Sequence, residues 1–215
     1  MQLRFSPTSP FARKVRVVIH ELALLDRIQL VPTDPWTDET LRPFNPLNKV
    51  PTLIFADGDA LYDSTVIVEY LDSEFGRRLL PPEGAARWRA LRLQALGNAI
   101  AEAAIRRLNE QKAPASDHSA GIDQRQAKAI AASLDALEQE ASSFPESPTI
   151  GELAIAVALG YLDFRFSQED WRAGRPHLAN WYQIIANRPS LLATEPSAAP
   201  IQAQTQASPQ ASKVA

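Results

Sequence analysis

Three dipeptides have residue types that could bind or activate a small polar ligand: Ser9-Pro10, Val50-Pro51 and Asp63-Ser64. Each stands where a helix or a strand is expected to begin, so backbone hydrogen-bonding groups are left free beside it. The second dipeptide could pair with an extended peptide backbone, and the third could hold a carboxylate. Together these two predict a site for a short peptide with a free carboxylate end.

The Val50-Pro51 step precedes an apolar run that is typical of a strand. A proline at the first residue of a strand removes no hydrogen bond that the sheet needs, and X-Pro bonds adopt the cis geometry at modest cost. A cis bond here would turn the amide and carbonyl groups of Val50 outward. The alternative is a plain strand entry in which the Val50 side chain packs in the core.

The Asp63-Ser64 pair precedes a segment, 65–71, that is expected to be a helix. The first turn of a helix has unpaired N–H groups and a partial positive charge, which together bind a carboxylate. The alternative is an ordinary helix N-cap preceded by an acidic turn residue.

The Ser9-Pro10 step provides a hydroxyl at a helix N-cap and a proline at the first helical position, where its missing N–H costs nothing. Apolar residues then follow at helical spacing: Val15, Val18, Ile19, Leu22 and Leu25. The alternative to a functional role is that Ser9 is a structural N-cap, which is enough to explain a serine at this position.

The composition excludes several classes of function. A net charge of −3 and an isoelectric point near 5.7 do not suggest a protein that binds polyanions. The chain has no cysteine, which excludes disulfides, thiolate metal ligands and cysteine nucleophiles. The three histidines, His20, His118 and His177, lack metal-ligand spacing, so no metal site is expected.

The chain begins Met1–Phe5 and continues into turn residues without an apolar leader. A span of about 20 apolar residues, the length that crosses a bilayer, does not follow. We therefore expect a cytoplasmic protein that binds neither nucleic acid nor a membrane.

The N-terminal third alternates between strand and helix patterns. Strands are expected over 2–5, 28–31, 52–56 and 60–62, with Asp57-Gly58 as the turn between the last two. The loop 32–48 is rich in proline and is expected to hold one short helix. The order βαβ, loop helix, ββα is typical of a thioredoxin-like domain, which we assign to 1–77.

The rest of the chain has helical patterns. A linker is expected over 78–87, an all-helical domain over 88–196 and a disordered tail over 197–215. Within the helical domain, apolar residues at helical spacing predict four helices, near 93–108, 130–141, 149–164 and 178–185. The third of these begins with Thr149-Ile150-Gly151-Glu152, which has the form of a capping box.

This arrangement resembles the cytosolic glutathione transferases, over nearly the whole chain except the tail. Four motifs carry the resemblance: Ser9-Pro10-Phe11, Lys49-Val50-Pro51, Asp63-Ser64 and Thr149–Glu152. Two residues depart mildly from the family pattern, since Asp63 stands where many members have Glu, and Glu152 where Asp is more frequent. The motif at Ser9 is similar to that of the bacterial-type, serine-type members.

The resemblance implies a role for each motif. Ser9 would be the catalytic residue, whose hydroxyl donates a hydrogen bond to the thiolate of glutathione; Thr8 is the alternative hydroxyl. Glutathione would be held by Lys49, Val50, Pro51, Asp63 and Ser64. It implies a cis bond before Pro51 and a pairing of Asp63 with the α-amino group. It also implies a pairing of Lys49 with the glycine carboxylate, to which the alternative is an ordinary solvated lysine.

The second substrate is expected between the domains, against Phe11 and the long helix near 103–111. Arg106, Arg107 and Asn109 could form a polar or anionic-substrate pocket there. The alternative is that these charges are the solvated face of the helix.

The function that follows is transfer of glutathione, as a thiolate, to a small electrophile, as in detoxification. Glutathione would be a co-substrate, without a permanently bound cofactor. The lack of cysteine excludes mechanisms that form a mixed disulfide between enzyme and glutathione. The alternative is a non-catalytic relative that binds proteins or hydrophobic ligands. The family also implies a homodimer.

Overall fold

The computed structural model describes residues 1–76, 78–114 and 119–197. His118 and all of the predicted tail except its first residue lie outside the described residues. The described chain forms a small mixed sheet with helices, followed by a helical domain, which confirms the predicted fold class.

The sheet has four strands: β1 (Gln2–Phe5), β2 (Gln29–Pro32), β3 (Thr52–Ile54) and β4 (Ala60–Leu61). Their order is β2-β1-β3-β4, with β2 parallel to β1 and the other two pairings antiparallel. The predicted bounds of β1 are confirmed, whereas those of the other three strands are wrong by one or two residues. Strand β3 ends early because the Phe55 N–H donates to the carbonyl of Asp59 and so already belongs to the hairpin loop.

Two helices pack on this sheet, α1 (Pro10–Glu21) and α2 (Ser64–Phe75), and a short 3-10 helix (Glu39–Leu41) lies in the proline-rich loop, as predicted. Helix α1 is buried on more than one side, because it contacts both α2 and the helical domain. Its buried residues therefore include Arg13 and Lys14 as well as its valines.

The helical domain contains α3 (Gly84–Lys112), α4 (Ala120–Ala141), α5 (Ile150–Arg165), α6 (Pro176–Ile185) and the short α7 (Pro189–Leu192). Helix α3 begins within the segment that the sequence suggested as a linker. The last short helix has no counterpart among the predicted elements. Helix α5 is buried along nearly its whole length and packs against α3 and α1.

The capping box at the start of α5 is confirmed. The Gly151 N–H donates to Thr149 Oγ1 at 3.1 Å, and the Thr149 N–H donates to Glu152 Oε2 at 2.9 Å. Glu152 is fully buried, and its other oxygen accepts from Arg89 of α3 at 2.7 Å. The box therefore begins α5 and also joins α5 to α3.

Two glycines allow α3 and α5 to approach closely. A Cβ atom on Gly97 would lie 2.7 Å from the carbonyl carbon and oxygen of Ala154, and one on Gly151 would lie 2.6 Å from the Ala90 carbonyl oxygen. Real side chains do not tolerate such distances to a backbone, so the helices could not keep their present separation if either glycine had a side chain.

We expect Gly97→Ala to lower the free energy of unfolding by about 1–3 kcal/mol, since α3 and α5 must move apart or distort. Urea unfolding followed by circular dichroism measures the change. The control is Gly121→Ala in α4, where the new Cβ would have only the Ser119 hydroxyl near it, at 4.0 Å. That variant should be neutral or stabilising, because alanine favours a helix over glycine. Equal stability of the Gly97 variant and the wild type would contradict this account.

Candidate functional site

A cleft of about 910 Å³ lies between the two domains. One wall is formed by the loop before α1 and by parts of the loops around residues 34–36 and 49–50. The opposite wall is formed by the second half of α3 and the end of α5. Predicted site residues that line it are Thr8, Ser9, Phe11, Lys49, Val50, Arg106 and Asn109.

Ser9 is the N-cap of α1, and its Oγ accepts a hydrogen bond from the Ala12 N–H at 3.2 Å. Since that bond uses a lone pair of the oxygen, the hydroxyl proton remains available. Among the described residues, no acceptor takes this proton. The Thr8 hydroxyl, in contrast, lies 3.2 Å from the Ser6 hydroxyl and shares a hydrogen bond with it. The geometry thus favours Ser9 over Thr8 as a donor to a ligand in the cleft.

The Val50–Pro51 peptide bond is cis, as the resemblance implied. The turn before it is held by Asn45, whose Nδ2 donates to the Lys49 carbonyl and to Thr52 Oγ1, both at 3.0 Å. In the described part of the chain, the N–H and C=O groups of Val50 have no partner. Val50 is half-buried at the cleft, which leaves these groups available to an extended ligand, whereas Pro51 is buried.

Asp63 is the N-cap of α2, and its Oδ1 accepts from the Thr65 N–H at 2.8 Å. Its peptide bond to Tyr62 is also cis, which no sequence pattern indicated. Ser64, the first residue of α2, is only 2% exposed. Pro51, Asp63 and Ser64 do not line the cleft itself, in contrast to Ser9, Lys49 and Val50.

Two family models match this chain. Residues 8–74 match the N-terminal domain of glutathione S-transferases, and residues 99–183 match the C-terminal domain. The uncharacterised GST-like protein YibF of Escherichia coli K12 is 33% identical over 201 residues, which cover 91% of this chain and 98% of YibF. The chain belongs to the glutathione S-transferase family.

Solved structures of other family members agree with this assignment. A glutathione transferase family member from Pseudomonas fluorescens Pf-5, with bound glutathione, has a TM-score of 0.85 and 39% identity, covering 91% of this chain and 98% of that one. The transferase from Methylobacillus flagellatus KT, also with bound glutathione, has a TM-score of 0.85 and 32% identity, covering 91% and 99%. Both are similar to this chain along nearly its whole described length.

The prediction that Arg107 contributes to a substrate pocket is wrong. Arg107 is 6% exposed, and its guanidinium donates to Glu169 at 2.7 and 2.9 Å and to Asp123 at 3.1 Å. The reason is helical geometry: consecutive residues of a helix point about 100° apart. Arg106 therefore lines the cleft, whereas Arg107 is buried in the helical domain.

The sequence did not indicate several residues that complete the second wall and the rim of the cleft: Trp36, Glu102, Lys112, Tyr161 and Arg165. The sequence did contain a signal for Tyr161 and Arg165, because they stand four residues apart at the end of α5 and so share one face of the helix. Burial raises the pKa of Tyr161, while the nearby Arg165 acts in the opposite direction. Trp36 is 88% exposed at the rim.

A buried lysine lies beneath the start of α2. Lys14 of α1 is 2% exposed and donates to Asn98 Oδ1 at 2.8 Å; Asn98 Nδ2 in turn donates to Thr65 Oγ1 at 3.2 Å. This series of hydrogen bonds ends at Thr65, whose N–H is capped by Asp63. The sequence contained a signal for it, because Lys14 has helical spacing to both Pro10 and Val18 on the apolar face of α1.

Other kinds of site find no support in the part of the chain that the structure describes. There, groups of three or more His, Asp or Glu side chains suited to a metal ion are absent. The described helices also lack the combination of length and apolar character that crossing a membrane requires.

Lys14 should make folding stability depend on pH. Burial lowers its pKa from 10.5 to about 7, and the nearby Asp63 only partly opposes this. Between pH 7 and about 10.5 the unfolded chain binds a proton that the folded protein does not, so stability rises with pH across this window. We expect Lys14→Met to raise stability relative to the wild type most below pH 7, with the difference shrinking above it.

Urea unfolding of Lys14→Met and wild type at several pH values from 6 to 9.5 measures this difference. Loss of the hydrogen bond to Asn98 adds a constant to the stability difference between variant and wild type, and this constant does not depend on pH. The informative quantity is therefore the slope of the stability difference against pH. Lys128→Met, which replaces an exposed lysine of α4, is the control and should give a flat difference. A flat difference for Lys14→Met as well would contradict the lowered pKa.

Proposed function

We propose that this protein is a glutathione transferase of the serine type, which holds glutathione as a thiolate and transfers it to a small electrophile. The observation that carries the proposal is the arrangement of Ser9 and Val50. An uncommitted hydroxyl at the start of α1 faces the same cleft as the unpaired backbone of Val50. Glutathione is a tripeptide with a thiol, and these two groups suit its sulfur and its peptide backbone.

The sulfur would lie at the N-terminus of α1. A serine hydroxyl is too weak an acid or base to take the thiol proton, so the proton leaves to solvent. The Ser9 O–H then donates to the thiolate, and the partial positive charge of the helix start favours the anion. Both effects lower the thiol pKa from about 8.5 toward neutrality, and each tenfold gain in thiolate corresponds to about 1.4 kcal/mol.

The rest of glutathione would extend from Val50 toward α2. Its cysteinyl backbone pairs with Val50 as an added strand would, with Pro51 fixing the direction of the chain. Lys49 meets the glycine carboxylate, Ser64 and the first N–H groups of α2 hold the γ-glutamyl carboxylate, and Asp63 pairs with the α-amino group. The relatives from Pseudomonas and Methylobacillus that bind glutathione support this ligand.

The electrophile would bind beyond the sulfur, between Phe11 and the residues of α3 that face the cleft, Arg106 and Asn109. Another structure of the Pseudomonas fluorescens protein, 38% identical and with a TM-score of 0.84, covers 92% of this chain and 100% of that one. It contains S-(propanoic acid)-glutathione. That ligand is a glutathione with a group joined to its sulfur, which supports a space for a second substrate here.

We also propose the family's assembly and location. Three exposed apolar side chains lie in or beside the first turns of α2 and α3, namely Tyr62, Val66 and Trp88, and they suit a homodimer contact. We further propose a division into a glutathione-binding domain, 1–77, and a helical domain, 88–196. A cytoplasmic, detoxifying role would suit a cysteine-free protein that uses the cellular glutathione pool.

Ser9→Ala should raise the pKa of the bound glutathione thiol toward about 8.5 and lower kcat at pH 7 by about tenfold or more, because it removes a hydrogen bond to a charged sulfur. Thiolate absorbance of the enzyme–glutathione complex, measured against pH, gives the thiol pKa. Ser9→Thr is the control, since it retains both the hydroxyl and the N-cap. Thr8→Val tests the alternative donor, and an unchanged thiol pKa in Ser9→Ala would remove Ser9 from the mechanism.

Ser64→Ala should weaken glutathione binding by about ten- to a hundredfold, the usual loss for a hydrogen bond to a carboxylate. Isothermal titration calorimetry measures the affinity, and Ser133→Ala, on α4 outside the cleft, is the matched control. Retention of wild-type affinity would contradict the role of Ser64. Binding of glutathione without turnover of any aryl halide would favour the non-catalytic alternative.

A further inference from the structure

Three cationic side chains line the second-substrate half of the cleft: Arg106, Lys112 and Arg165. None of them lies within 4 Å of a carboxylate among the described residues. Elsewhere in that part of the chain, nine arginines form ion pairs with Asp or Glu. Arg106 and Arg165 are thus among the seven described arginines that form no ion pair.

Arg165 is the most constrained of the three. Its guanidinium carbon lies 4.2 Å from the centre of the Phe164 ring, and its Nε is buried without a hydrogen-bond partner in the described structure. The Tyr161 hydroxyl is near the Arg165 side chain. Because Arg165 lines the cleft and has no carboxylate partner, its guanidinium would gain charge-assisted hydrogen bonds from an anionic oxygen bound there.

Acidic side chains do not cancel this charge. Asp34 lines the cleft, but its carboxylate accepts from the Trp36 N–H at 3.0 Å and from the Thr37 hydroxyl at 3.2 Å, so it is committed to its own turn. Glu102 stands one helical turn before Arg106 without reaching it. With Lys49 included, four cations and two carboxylates line the cleft.

The helix dipole accounts for only part of the pattern. Lys112 and Arg165 stand in the last turns of α3 and α5, where cations are favoured. Arg106 lies more than one turn before the end of α3, where the dipole has little effect. A ligand with negative charge explains all three, and the apolar side chains of Ile105 and Leu108, which line the same cleft, provide a surface for the rest of that ligand.

We infer that the electrophile is a small apolar molecule with a carboxylate, held by Arg106, Lys112 and Arg165 while its reacting carbon faces the sulfur beside Ser9. This inference rests on the proposed transferase function. In the reaction with an aryl chloride, the thiolate forms a C–S bond and the C–Cl bond breaks. Chloride leaves with the bonding electrons, and the thiol proton has already gone to solvent.

The test compares two aryl chlorides that differ in charge, 4-chloro-3-nitrobenzoate and 4-chloro-3-nitrobenzamide. For each, kcat/KM is divided by the rate constant of the uncatalysed reaction with glutathione, which removes the difference in intrinsic reactivity. The wild type should accelerate the benzoate at least about tenfold more than the benzamide. Arg106→Gln and Arg165→Gln should each lower this preference about threefold or more. Arg125→Gln, an exposed arginine on α4 outside the cleft, should leave it unchanged.

Binding of the two product conjugates of glutathione, measured by calorimetry, separates the inference from the transferase function. Preferential binding of the carboxylate conjugate without turnover of either chloride would support the anion subsite and contradict the transferase. Equal acceleration of both chlorides with equal binding of both conjugates would overturn the inference and leave the transferase standing. Because Arg106 is exposed, its variant should fold even if Arg165→Gln does not.

Discussion

The burial of α1 between the sheet and the helical domain is the constraint on which the rest of the structure depends. The helix packs against α2 on one side and against α5 and α7 on another. Its N-terminus must therefore open at the junction of the two domains, which is where the cleft lies. Ser9 reaches the cleft because it caps this helix, so the position of the proposed thiolate partner follows from how the domains dock.

Docking on two sides buries charged residues of α1, and each needs a partner. The Arg13 guanidinium donates to the Leu191 carbonyl at 3.1 Å, and burial lowers its pKa. Burial alone would raise the pKa of Glu21, but hydrogen bonds from Arg188 and Ser190 bring it below its usual value. These polar contacts join α1 to the last helix. They fix the orientation of the domains more narrowly than apolar contacts would, since a hydrogen bond left unmade in a buried place is costly.

The sequence could predict the fold because its signals are local. The alternation of strand and helix patterns, the proline at residue 51 and the capping box at Thr149 each act within a few residues, and the structure contains all three. Strand ends were less predictable, since a hydrogen bond of the hairpin loop decides them. Helical geometry shows that Arg106 and Arg107 cannot both face the cleft, but which of the two is buried was not predictable, because the partner Glu169 is 62 residues away from Arg107.

Only part of the lining of the cleft could be predicted, because the signals in the sequence are local. Ser9 and Val50 belong to short motifs, whereas Trp36, Tyr161 and Arg165 meet there only because loops and helices distant in sequence are brought together. Lys14 was detectable in principle, as a charge on an apolar helix face. The partners that make its burial tolerable, Asn98 and Thr65, come from two other helices and could not be inferred from its neighbours.

The charge of the cleft has a physical consequence for the chemistry. An anionic electrophile must approach a thiolate, and two like charges about 5 Å apart repel by about 3 kcal/mol at an effective dielectric constant of about 20. A serine donor at the sulfur cannot remove this repulsion, because it stabilises the anion without neutralising it. In the proposed reaction, cations on the opposite wall would do so, since Arg106 and Arg165 would balance the carboxylate of the electrophile and leave the thiolate free to react. The proposed serine-type sulfur site and the cationic second wall would therefore complement each other within one cleft.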